Sequence, residues 1–289
     1  MTPASPTSAT SGAISADARP AVRSRSAGAT FGGLLLAEWT KIRSVRSTVW
    51  TLVLFVLLTI GLTAGLTALV VSSWGDPRQA AGDAQISADP VGFIFGAGIS
   101  FGQLTICVLG VLLITTEYST GVIRASLLAV PRRLPMLAAK IVIFAVMLMV
   151  LAEIVALGSF FVGSVLLHSK VAVSLGDPGA ARAVVGAGLY LTVLGVFAVA
   201  VGGLIRHTAG AIATVIGVVF VVPIITGFLP GSWGAHVNGY LPAQAGSLIF
   251  RAHQQPTQVL SSWQGFGIFC AWTAVLLALA AYLLERRDA

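Results

Sequence analysis

Charge is scarce in this chain. Asp, Glu, Lys and Arg make up 9% of its 289 residues, where a soluble domain carries about 25%. The deficit is concentrated, because windows 47–75, 90–116, 183–205, 208–250 and 252–284 hold no charged residue at all. Each window exceeds the roughly 20 apolar residues that a helix needs to cross a bilayer. A further apolar run, 141–167, is broken only by Glu153. The pattern excludes a soluble globular domain and predicts an all-α membrane protein with six transmembrane helices, near 50–73, 91–115, 139–167, 183–205, 209–229 and 264–284.

Other shortages narrow the chemistry. There are three lysines, and they follow Thr40, Ala139 and Ser169. A Walker A loop needs Lys directly after Gly so that ammonium and backbone amides cradle the phosphates, so no nucleotide site of that kind is expected. The chain reads as a non-enzyme with no cofactor of its own. Four histidines (His168, His207, His236, His253) are dispersed without metal-ligand spacing, and no HExxH occurs. No metal site is expected from such a set. The two cysteines, Cys107 and Cys270, fall inside predicted spans and read as small buried hydrophobes. Residues 98–102 match G-x-S-x-G, but a nucleophile elbow needs a strand-to-helix turn and a histidine base. An apolar span with no histidine nearby offers neither.

The charge that is present has a direction. The net charge is +7, which in a soluble protein would suggest a nucleic-acid partner. Here thirteen of the seventeen Lys and Arg fall in the N-terminal part, in 117–140, at Arg206 and at the C-terminus; the other four are Arg78, Lys170, Arg182 and Arg251. That is the positive-inside bias. It predicts a multi-pass protein of the cell membrane with both termini cytoplasmic, and no nucleic-acid partner.

Residues 1–30, rich in Ala, Ser, Thr, Pro and Gly, read as a disordered cytoplasmic tail. The stretch 31–48 then reads as a basic amphipathic helix lying against lipid headgroups, with Glu38, Trp39, Lys41, Arg43 and Arg46 as its candidate functional residues. At 100° per residue, Glu38 and Arg46 fall inside its apolar arc. The six-helix domain occupies 49–289. Within its second span, Gly92–Gly96 and Gly98–Gly102 both have small-xxx-small spacing, a signal for close helix contact, either within the chain or between subunits. The connection 230–263 is too polar to span and too apolar for a free loop. It predicts short re-entrant helices on the outer side, one starting at Pro242.

Candidate polar points on a transport path are Ser100, Gln103 and Glu153. Glu153 lies mid-span, where ionisable residues are costly and face a bundle interior or a water-filled cavity. It reads either as a functional acid, for example a proton carrier, or as one end of a helix-to-helix hydrogen bond assisted by Gln103 or a threonine. The passage "TTEYSTGVIRASLLAVPRRLPMLAAK", Thr115 to Lys140, breaks the apolar pattern between spans two and three. It predicts a cytoplasmic loop helix. Topogenic charge explains its arginines but not Val122, Ile123 and Leu127, which suit a groove on another protein.

In order and position, the interfacial "LLAEWTKIRSVRSTVW", this loop and the outer "YLPAQAGSLIF" resemble the permease subunits of ABC transporters of the ABC-2 class. The likeness covers about residues 31–289, with Gln244 where the family carries Asn and Val122 where it often carries Thr. The resemblance implies a permease half that pairs with a second copy or a paralogue. It also implies a separate cytoplasmic ATPase that binds ATP and Mg. It assigns Glu117, Tyr118, Gly121, Val122, Ile123 and Arg124 to coupling with that ATPase. The implied cargo is hydrophobic or amphipathic, such as a drug, an antibiotic or a lipid.

Overall fold

The computed structural model describes residues 31–120, 133–253 and 258–286. The tail 1–30 and the loop positions Gly121, Val122, Ile123 and Arg124 lie outside the described residues. Every regular element among those described is helical. Six helices are long and apolar enough to cross a membrane.

Helix α1 spans Phe31–Ser44 and stops at Val45, whose extended backbone (φ −84°, ψ 107°) turns the chain into the first span, α2, Arg46–Ser72. The expected helix over 31–48 is therefore divided four residues early. After the short α3, Ala80–Ala88, comes the second span, α4, Pro90–Ser119. Asp89 starts it by accepting the Gly92 N–H at 2.9 Å, and Pro90 takes the first position, where a missing N–H is harmless. The third span, α5, is Arg133–Leu167. It begins before the predicted boundary because Pro135 sits in the first turn, where no intrahelical donor is needed. The fourth, α6, is Ala180–Ile205.

The fifth span is composite: α7, Thr208–Ile216, a π-helical turn at Gly217–Val221, and α8, Val222–Gly227. Its cause is local. Pro223 cannot donate to the Val219 carbonyl and its ring crowds that oxygen, so the helix widens and the Val222 N–H reaches back to Gly217. Two short helices follow, α9 at Gly231–Gly239 and α10 at Pro242–Ser247, then a 3-10 turn at Leu248–Phe250 and the last span, α11, Ser262–Arg286.

Helix α6 is the most buried span and packs against α4, α5, α7 and α11. Helix α2 lies outside, against α4 and α5. It is apolar nearly all round, so hydrophobicity alone does not choose its contact face. Phe55, Thr59, Thr63 and Thr67 form its buried stripe at every fourth position, while Trp50, Leu54, Leu57 and Leu69 stay exposed. Gly98 and Gly102 of α4 sit on the Thr59–Thr63 ridge, so the glycine spacing there marks a contact within the chain.

On the face opposite α1, Arg182 at the start of α6 holds the chain that follows α10. Its guanidinium donates to the carbonyls of Ile249 (3.0 Å), Arg251 (2.9 Å) and Ala252 (3.0 Å). Gly179, at φ +83°, lets the backbone pass close to Ala252 where a Cβ would collide. Arg182→Ala strands three carbonyls and should lower stability in detergent by about 1–3 kcal/mol. Thermal unfolding followed by size exclusion measures this.

Candidate functional site

Two features on one helix draw attention, a charge cluster at the end of α4 and a cavity along its beginning. Helix α4 has 30 residues, about 45 Å at 1.5 Å per residue. That exceeds the roughly 30 Å hydrocarbon core, and Glu117 lies in its last turn.

There Glu117 meets Lys140, seven residues into α5, and Glu38 of α1. Lys140 is 2% exposed and donates to Glu38 Oε2 at 2.7 Å and Glu117 Oε1 at 2.9 Å. Lys41, more exposed, bonds Glu117 from the rim and lies 3.9 Å from Glu38 Oε1. Two carboxylates and two ammonium groups make a neutral set that ties together α1, the end of α4 and the start of α5. The cost of desolvating such charges is met only when each finds partners, and each does. Lys140 is the central residue, and sequence reasoning did not single it out as a site.

The other residues nominated on this face are distributed as follows. Trp39 and Arg43 are exposed, with the Arg43 guanidinium 5.9 Å from the Trp39 ring. Arg46 opens α2 and is exposed. Tyr118 packs under Arg206, whose guanidinium lies 4.9 Å from its ring and donates to the Leu283 carbonyl at 3.2 Å. Arg206 caps α6 in the left-handed region (φ 58°), a conformation that non-glycine residues adopt when contacts hold them.

At the other end of α4 a cavity of about 880 Å³ opens beside α3 and α10. Asp89, Gly92, Phe93, Gly96, Ser100 and Gln103 of α4 line it. That series, i, i+3, i+4, i+7, i+11 and i+14, is one face of a helix. A Cβ on Gly96 would meet nothing within 4 Å, so this face is open where the Gly98–Gly102 face is filled. Ser100 and Gln103 thus come together on one wall. Gln103 Oε1 accepts the Tyr190 hydroxyl at 2.7 Å.

Glu153 stands apart from both features. Its carboxyl lies over Gly188 of α6, and its Oε1 has no hydrogen-bond partner among the described residues. Of the expected helpers, Gln103 is engaged with Tyr190; Thr192, a threonine on α6, bonds the Gly188 carbonyl and Met149. Glu153 does not line the cavity. Among the described residues no group of three or more His, Cys, Asp or Glu could hold a metal.

No protein-family model matches this chain, and no curated protein matches it.

Proposed function

We propose that this chain is the membrane-spanning permease subunit of an ATP-driven exporter of the ABC-2 class. It would work with a cytoplasmic ATPase and a second permease copy or paralogue, and move a hydrophobic or amphipathic cargo outward across the cell membrane. The observation that carries the reading is the single unbroken helix α4, with the buried charge cluster at one end and the polar cavity stripe at the other. The loop 121–132 leaves from the cluster end and returns into α5 seven residues before Lys140. A push on that loop is shared through Glu117, Lys140 and Glu38 by three helices. Because α4 is a continuous rod, displacement at Glu117 also displaces the Gly92–Gln103 face. The motor is external, since no lysine follows a glycine in the sequence.

The test places Val122→Asp together with Arg124→Glu in the loop. Membrane insertion should be unchanged. Export, and co-purification with a Walker-motif ATPase, should be lost. Undiminished export in the double variant removes the loop from the mechanism.

The unpartnered Glu153 oxygen favours a second reading, a proton-coupled carrier that uses this acid. Transport that survives loss of the ATPase, collapses with the proton gradient and fails in Glu153→Gln selects that reading instead.

A further inference from the structure

We infer that the cavity along α4 is a binding slot for an elongated, uncharged amphipathic molecule rich in hydrogen-bonding oxygens. This deepens the permease reading by naming the class of cargo it admits.

Three observations carry it. The slot is long: from Asp89 to Gln103 is fourteen residues, about 21 Å along a helix axis. Its volume, about 880 Å³, lies within the range of small-molecule sites. The lining is sparsely charged as well. Asp89 and Arg251, one of each sign, are its ionic side chains among the described residues, and His253 is exposed 3.9 Å from Asp89. The rest of the described lining offers uncharged polar groups, Ser100, Gln103, Tyr190, Gln244 and Ser247, among apolar Phe93, Val219 and Phe250. Free hydrogen-bonding capacity is also present: the amide nitrogen of Gln103 and the side chain of Gln244 have no partner among the described residues.

The same lining gives an ion little to gain. Its ionic side chains among the described residues, Asp89 and Arg251, are one of each sign, and Asp89 Oδ1 already accepts the Gly92 N–H. A charge that loses its water without gaining a counter-charge does so at high cost. A neutral molecule with hydroxyl, ether or carbonyl oxygens instead meets the amide donors along one edge and the aromatic and aliphatic wall along the other.

The probe is tritiated digitoxin, an uncharged steroid glycoside, added to the full chain in lipid nanodiscs without ATP or any partner. Saturable binding is expected. Gly96→Leu, which projects into open space and leaves the packed Gly98 face untouched, should weaken it tenfold or more. Ser100→Phe is a second plug should the first variant fail to fold. Gln103→Leu keeps the volume and removes the amide, for a loss of about tenfold. Anionic taurocholate and cationic rhodamine 6G should not displace the probe. Displacement by rhodamine 6G, binding unchanged in both plugged variants, or absence of saturable binding each overturns the assignment. So does a phospholipid retained by the wild type and lost from Gly96→Leu. Because binding is read without ATP, failure of ATP-driven export leaves this result intact, and failure of binding leaves the loop experiment intact.

Discussion

Lys140→Ala should cost about 3–5 kcal/mol of folded stability, the penalty for stranding buried charge when one partner is removed. Lys140 is almost fully buried between Glu38 and Glu117, so its loss leaves two shielded carboxylates facing one another with only the rim Lys41 to offset them. Lys41→Ala should cost less than about 1 kcal/mol, because a pair with a water-exposed member is weakened by solvent and side-chain entropy. Restoring neutrality should recover most of the loss, as in Lys140→Met with Glu117→Gln, which leaves Lys41 with Glu38. Thermal unfolding of the four proteins in one detergent reads the order. Equal effects at Lys140 and Lys41 would mean that the cluster is solvated and holds nothing together.

The second large effect separates two glycine pairs that share one spacing. Gly98→Val drives a side chain into Thr63 Oγ1 and the Thr59 carbonyl. The backbone oxygen cannot swing aside, so α2 and α4 must part, at about 3 kcal/mol by the scale of overpacked cores. Gly96→Val enters open space and should be tolerated. Yield of monodisperse protein and its melting temperature measure the difference. Similar behaviour of the two variants would contradict the assignment of one face to packing and the other to the cavity.

These cases show what was legible in the sequence. Spans follow from charge-free length, and the predicted 183–205 and observed Ala180–Ile205 differ by one turn because Arg182, which closes the charge-free window, sits in the first turn of the helix with its guanidinium on the carbonyls of Ile249, Arg251 and Ala252. The two glycine pairs announce close approach. Identical spacing cannot say which face meets threonines and which meets empty space, since that is set by α2 and α10, far away in sequence.

The cluster was half legible. Glu38 violated the apolar arc of α1, and such a violation is a sign of a buried polar partner. Glu117 and Lys140 marked the ends of their spans. What joined them was out of reach, because Glu38 and Lys140 stand 102 residues apart and no periodicity links positions on separate helices. Glu153 failed differently. Its depth in the span is evident from the sequence, but Gln103, expected to assist it, serves Tyr190 on α6 instead.

On the proposed reading this polypeptide has no motor and is driven through the cluster at the end of α4. The direct measurement is ATP turnover by the purified chain, alone and reconstituted with a Walker-motif ATPase that co-purifies with it. No turnover is expected from the chain alone, and turnover by the ATPase should rise when the wild-type chain is added but not when Lys140→Met with Glu117→Gln is added. Hydrolysis by the isolated chain, or equal stimulation by the wild type and the cluster variant, would overturn that reading.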